Sequence, residues 1–119
     1  MRNGIGKFIA KDGASYNGEW KNGMINGKGI YRWPDNRYYD GSWVDNKMHG
    51  FGIYEWNDGR KYIGEYNNDK KEGKGKYYWS NGTVYEGLWK NGTQNGKGKL
   101  TDSKGYFQEG EWKDGLRIS

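Results

Sequence analysis

The chain has 119 residues, a net charge of +5, 22 glycines, an aromatic fraction of 18% and no cysteine. The length suits one domain and is short for two, the missing cysteine excludes thiol-ligated metals and cysteine nucleophiles, and no stretch approaches the roughly 20 apolar residues of a membrane-spanning helix. Ile, Leu, Val and Phe are scarce enough to suggest disorder on composition alone, but disordered chains are poor in aromatics, so the apolar surface of a folded domain has to come from Trp and Tyr.

Met1-Arg2-Asn3-Gly4 leads into no apolar segment of the kind an export signal carries, and a soluble intracellular protein is expected. Gly4-Ile5-Gly6-Lys7-Phe8 aligns with the residues that begin at Gly27, 23 positions later, so the chain opens on half a repeat. From Tyr16 the period of 23 is unbroken: Tyr16, Tyr39, Tyr62, Tyr85 and Gln108 form one column, Gly18 to Gly110 the next, and Trp20, Trp43, Tyr66, Trp89 and Trp112 a third. The pairs Gly27/Gly29, Gly50/Gly52, Gly73/Gly75 and Gly96/Gly98 keep the same phase. A fixed period of this size marks a stack of identical supersecondary units.

Within a unit the aromatics and glycines recur in steps of two, which puts them on one face of a strand. Tyr16/Gly18/Trp20 and Gly29/Tyr31/Trp33 share that face, and Asn17, Glu19, Asp40, Ser42, Glu65, Glu86, Glu109 and Glu111 take the other. Pro34-Asp35-Asn36-Arg37, Asn57-Asp58-Gly59-Arg60 and Ser80-Asn81-Gly82-Thr83 are expected to be tight type I′ hairpin turns, in which both central residues need φ > 0. Lys21-Asn22-Gly23-Met24-Ile25-Asn26 is expected to be a longer, looser connection. The fold class is therefore all-β: an open, twisted, single-layer ribbon of antiparallel hairpins, one per unit, with about ten strands and a length on the order of 50 Å. Asn81-Gly82-Thr83 and Asn91-Gly92-Thr93 fit a glycosylation sequon but are explained as turn residues. At the C-terminus Gln108 replaces the column tyrosine, and Gly115-Leu116-Arg117-Ile118-Ser119 is expected to stop before a second strand. An exposed strand edge follows, and edges invite pairing with another chain.

The unit Tyr16-Asn17-Gly18-Glu19-Trp20-Lys21-Asn22-Gly23 followed by Gly27-Lys28-Gly29-Ile30-Tyr31 resembles a MORN repeat, as does Tyr85 to Gly92 followed by Gly96-Lys97-Gly98. Departures are Tyr66 for Trp, Asn46 and Asp69 for the turn glycine, and Leu100 and Asp102 for the aromatics of the last complete unit. The resemblance covers one array over 1–119, divided as a half repeat 1–15, full repeats 16–38, 39–61, 62–84 and 85–107, and a partial repeat 108–119. It implies scaffolding in cilia and the cytoskeleton, binding of partner helices, dimerisation, and association with phosphoinositide membranes.

No catalytic constellation assembles around the single His49, which shares a loop column with Asn26, Glu72 and Asn95, and the turn Asp and Asn lack the dense carboxylate spacing of a calcium loop. No enzyme activity, cofactor or metal is expected. The first functional reading is a protein-binding scaffold whose aromatic face (Tyr16, Trp20, Tyr31, Trp33, Tyr39, Trp43, Tyr54, Trp56, Tyr62, Tyr66, Tyr77, Trp79, Tyr85, Trp89) receives a helix, an extended segment or another copy of the chain. Against it stands the reading that the rings cover one another as a core. An uncovered aromatic stripe is a partner surface, because Trp and Tyr are the commonest interface anchors. The second reading is anionic membrane binding through Lys28, Lys47, Lys70, Lys71, Lys74, Lys76, Lys97 and Lys99, read as one edge; lysines add about 1 kcal/mol each near such a surface. Single-stranded nucleic acid is disfavoured by the glutamates on the same strands, and a choline or sugar cage is conceivable from clustered rings. Cytoplasm, cytoskeleton, cilium or cell cortex is the expected setting.

Overall fold

The computed structural model describes residues 3–119; Met1 and Arg2 of the opening half repeat lie outside the described residues. Eleven strands form one antiparallel sheet in which each strand pairs with its sequence neighbours: β1 (Gly4–Ile9), β2 (Ser15–Lys21), β3 (Met24–Arg32), β4 (Tyr38–Val44), β5 (Lys47–Glu55), β6 (Lys61–Asn67), β7 (Lys70–Tyr78), β8 (Val84–Lys90), β9 (Thr93–Thr101), β10 (Phe107–Lys113) and β11 (Leu116–Arg117). No helix occurs among the described residues. The ribbon measures 50 × 24 × 18 Å. The two-residue β11 pairs Leu116 with Lys113 and Arg117 with Trp112, so the chain does begin the strand before which it was expected to stop.

The two kinds of connection are the reverse of those expected. Asn22-Gly23, Asp45-Asn46, Asn68-Asp69, Asn91-Gly92 and Asp114-Gly115 are two-residue turns with both φ values positive, as Lys21 pairs directly with Met24 and Val44 with Lys47. That is the I′ signature, and it fits the twist of the flanking strands. The connections at Pro34, Asn57 and Asn81 instead have three residues and a single positive φ, at Asn36, Gly59 and Gly82. The amide of Asn36 donates to the Trp33 carbonyl at 3.0 Å, and that of Trp33 to Arg37 at 2.9 Å, the pattern of a type I turn followed by a left-handed residue. Asp35, Asp58 and Asn81 are explained by their side chains, which accept the amides of Arg37, Arg60 and Thr83.

Glycine and tyrosine together build the core. Gly6, Gly18, Gly29, Gly41, Gly52, Gly64, Gly75, Gly87, Gly98 and Gly110 pair across successive strands in one stripe that crosses the sheet from β1 to β10. Each column tyrosine lies flat on two of them. A Cβ built on Gly75 would sit 2.2 Å from the Tyr62 hydroxyl, and one on Gly64 would sit 2.5 Å from the Gly75 Cα. Between the stripe and the two-residue turn, the second strand of each hairpin carries two extra residues, as in Asn26 to Lys28 opposite Glu19. This bulge leaves a carbonyl of the first strand in need of a donor, and the tyrosine hydroxyls supply it: Tyr16 to Glu19, Tyr39 to Ser42, Tyr62 to Glu65 and Tyr85 to Leu88, at 2.9 to 3.1 Å. Phenylalanine would fill the same space and leave that carbonyl unpaired.

Candidate functional site

The rings of the aromatic face sort into two ladders. The inner one runs Trp20–Tyr16–Trp43–Tyr39–Tyr66–Tyr62–Trp89–Tyr85–Trp112, with centroids 5.1 to 6.0 Å apart and every contact edge-to-face, the geometry the ring quadrupole favours. Tyr16, Tyr39, Tyr62 and Tyr85 are 0% exposed and Trp43 and Trp89 5%. Indole N–H groups pin this ladder to the backbone, from Trp43 to the Gly29 carbonyl and from Trp89 to the Gly75 carbonyl, both at 3.1 Å. Burial pushes the Tyr16 hydroxyl up to about 12, and raises those of Tyr39, Tyr62 and Tyr66 further.

The outer ladder, Tyr31–Trp33–Tyr54–Trp56–Tyr77–Trp79, is tilted rather than edge-to-face, with centroids 4.4 to 5.6 Å apart. Tyr31, Trp33, Trp56 and Trp79 keep accessible surface, as does Trp20 at one end of the inner ladder. The fourteen aromatics proposed as a binding face thus divide. Five offer surface; the other nine are buried by their neighbours and, as the ribbon stands, have little surface with which to touch a partner. Two guanidinium groups decorate the rim: Arg37 stacks on Trp33 at 5.3 Å, pairs with Asp35 at 2.7 Å and donates to the Tyr54 hydroxyl at 3.0 Å, and Arg60 repeats the arrangement over Trp56 with Asp58.

The lysines do not form one edge. Lys28, Lys74, Lys76, Lys97 and Lys99 alternate with inward-facing glycines and rings, so they stand on the opposite, outer face, and Lys47 and Lys70 flank the two-residue turns. Lys71 lies on the aromatic face itself. Its ammonium sits 5.6 Å from the centroids of Trp56, Tyr62 and Trp89 and 5.7 Å from Tyr77, and burial, with the nearby Arg60 charge, lowers its pKa. It occupies a column filled in the other full repeats by Ile25, Met48 and Gln94 and in the partial repeat by Arg117. The signal was available: Lys71 is an even number of residues from Tyr77 and Trp79, the spacing of a shared face.

Two features were missed from sequence. On the outer face a groove of 640 Å³ crosses the bare strands at Gly64, Gly75 and Gly87, with Phe51, Ile63 and Leu88 beside Lys74, Lys76 and Lys97. Phe51 is 59% and Leu88 38% exposed. Lys76 pairs with Glu86 at 3.3 Å. On the aromatic face a cavity of 520 Å³ is walled by Tyr31, Trp33, Trp43 and Met48, with Asp69 on its rim. His49 serves a turn, its Nδ1 accepting the Asn68 amide at 3.3 Å. Among the described residues no His, Cys, Asp or Glu cluster is arranged to hold a metal, and no helix is long and apolar enough to cross a membrane.

An open β-ribbon built from one repeated hairpin, with both faces accessible along its length, defines the class: a repeat-built interaction module. The MORN repeat family model matches residues 16–36, 39–59, 62–84, 85–105 and 109–117. The chain belongs to that family, whose repeats serve generally as protein or membrane interaction modules. No curated protein matches the chain.

Proposed function

We propose that the chain is a non-catalytic scaffold that docks a helix or extended segment of a partner protein, or another copy of itself, along the outer ring ladder, with the end strands as a further point of attachment. The observation that carries this reading is the line of part-exposed Trp33, Trp56 and Trp79, held in register beside a ladder of wholly buried tyrosines. Large, rigid aromatics on a preformed surface lose little entropy on binding and are the usual anchors of protein interfaces. A ciliary, cytoskeletal or cortical assembly is the setting that the family likeness suggests. The test is photo-crosslinking in the native source with benzoylphenylalanine at position 56 or, for comparison, at position 88. Adducts from 56 and not from 88 support the reading; no adduct from 56 and no self-association at micromolar concentration overturn it.

A second reading has its own observation. The outer face sets Lys74, Lys76 and Lys97 beside exposed Phe51 and Leu88, a combination of charge and apolar contact that suits anionic lipid. Flotation with vesicles that contain phosphoinositide, against phosphatidylcholine alone at physiological salt, decides it, and Lys74→Glu with Lys97→Glu should abolish flotation if it occurs.

A further inference from the structure

We infer that the cavity between Tyr31, Trp33, Trp43, Met48 and Asp69 receives an alkylammonium group, presented as the lysine side chain of the partner segment. The inference rests on the docking role proposed above and assigns one contact within it.

The ribbon carries its own example of the chemistry. Each unit places one side chain of the Ile25, Met48, Lys71 and Gln94 column among the rings, and in the third unit that side chain is a lysine. Its ammonium is held 5.6 to 5.7 Å from four ring centroids, within the distance at which a ring quadrupole attracts a cation. Two units earlier the rings equivalent to Tyr77 and Trp89 are Tyr31 and Trp43, which wall the cavity together with Trp33, and the side chains of this column beside it are the neutral Ile25 and Met48. Here the ribbon offers ring walls and brings no ammonium of its own from that column.

What it brings instead is a carboxylate. Asp69 Oδ1 accepts the Met48 amide at 2.8 Å, which fixes the group at the cavity rim. Asp69 takes part in none of the ion pairs among the described residues. In the next two units the same turn position is Gly92 and Gly115, and in the preceding one it is the uncharged Asn46. The negative charge therefore occurs only where the cavity filler is methionine. Arg37, the cation stacked on the Trp33 wall, is paired with Asp35. Aromatic walls, an unpaired carboxylate and 520 Å³ of space suit an ammonium on a flexible stem.

The indole resonances of Trp33 and Trp43 report occupancy in the full chain. N-acetyl-lysine methylamide and tetramethylammonium are titrated separately, with neopentyl alcohol as the neutral counterpart. Saturable shifts with both cations and none with the alcohol are expected. Asp69→Asn keeps the acceptor for the Met48 amide, as Asn46 does for Ile25, and should weaken cation binding roughly tenfold. Met48→Lys should abolish it by setting an ammonium over Trp33. Equal shifts with the alcohol, no effect of Asp69→Asn, or no saturable binding overturns the site; binding of tetramethylammonium alone overturns the lysine assignment. If the cations fail while crosslinks from position 56 persist, the cation site falls and the scaffold stands.

Discussion

On the aromatic face the same side chains return in unit after unit: tyrosine over glycine at 16, 39, 62 and 85, and an aromatic ring at 20, 43, 66, 89 and 112. On the outer face the backbone repeats but the residues do not. One column runs Ile5, Lys28, Phe51, Lys74 and Lys97, the next Lys7, Ile30, Ile53, Lys76 and Lys99, and a third Glu19, Ser42, Glu65, Leu88 and Glu111. The physical reason is the difference in constraint. A ring that lies on a glycine stripe admits no other shape, whereas a side chain that projects from a single-layer sheet into solvent meets few neighbours. Invariance along the ribbon therefore marks what holds it together, and variation marks where one unit can be told from another. Lys71 and Asp69 obey the same rule on the aromatic side, since both stand in columns that vary from unit to unit, Ile25/Met48/Lys71/Gln94 and Gly23/Asn46/Asp69/Gly92.

The sharpest way to break that comparison is to put one methyl group on the stripe. Gly75→Ala directs a Cβ to 2.2 Å from the Tyr62 hydroxyl and 2.5 Å from its ring carbons, and the ring, itself edge-on to Tyr66 and Trp89, has nowhere to move. Overpacking of this kind should cost about 3 kcal/mol or more. Leu88→Ala on the outer face should stay within roughly 0.5 kcal/mol. Urea denaturation of the two variants measures the contrast; similar midpoints would show that the stripe is not the structural constraint.

Truncating a ring separates the two ladders. Trp43→Ala removes a buried indole that contacts Tyr16, Tyr31 and Tyr39 and bonds the Gly29 carbonyl, and about 3 to 5 kcal/mol should be lost. Trp56→Ala, in the outer ladder, should cost about 1 to 2 kcal/mol because part of its surface is already in water, and its main effect should be on crosslinking yield and partner binding. An equal loss of stability in both would merge the ladders into one core.

Alkaline titration attacks the aromatic face alone. The buried tyrosines have folded pKa values raised above the ordinary 10.0, to about 12 for Tyr16 and higher for Tyr39 and Tyr62, chiefly because burial disfavours the phenolate. Folding therefore favours the protonated ring. Its contribution is fully present below pH 10.0 and is lost as pH rises through the folded values. Over that window each such tyrosine removes about 1.4 kcal/mol per pH unit. Circular dichroism should show cooperative unfolding between pH 10 and 12, in step with tyrosinate absorbance. Ionisation of most tyrosines before loss of the sheet would contradict their burial.

The period, the two faces and the hairpin ribbon were all legible in the chain, because alternation and column identity are direct images of strand geometry. The turns were not. Asn22-Gly23 and Asn81-Gly82 are the same dipeptide, yet the first has two positive φ values and the second only one, at the glycine. Cross-strand pairing decides which, and no local signal encodes it. The division of the rings into buried and part-exposed ladders was equally hidden, since it depends on a ring of one unit closing over its neighbour, as Trp43 does over Tyr16. Lys71 was legible from its spacing but was grouped with the other lysines by charge.

The smallest effect tests the turns. In the turns at Asn46, Asp69, Gly92 and Gly115 the second residue gives its amide to the preceding unit, Asn46 to Ile25 and Gly92 to Lys71, at 2.9 and 3.0 Å. Asn46 and Asp69, which depart from the usual turn glycine, add a side-chain acceptor that takes the amide of Ile25 or Met48 at 2.8 Å in return. Gly92 has no side chain with which to reciprocate. Its φ is +86°, a conformation that Asn46 already adopts at 67°, and a Cβ there would meet nothing within 4 Å. Gly92→Asn should therefore install the second bond, to the Lys71 amide, and stabilise the ribbon by about 0.5 to 1 kcal/mol. Asn46→Gly should lose a similar amount. The two variants act on opposite ends of the array, so their combination should restore the starting midpoint in urea. A loss of stability in Gly92→Asn would mean that the departures at Asn46 and Asp69 are tolerated by the turn and not used to join one unit to the next.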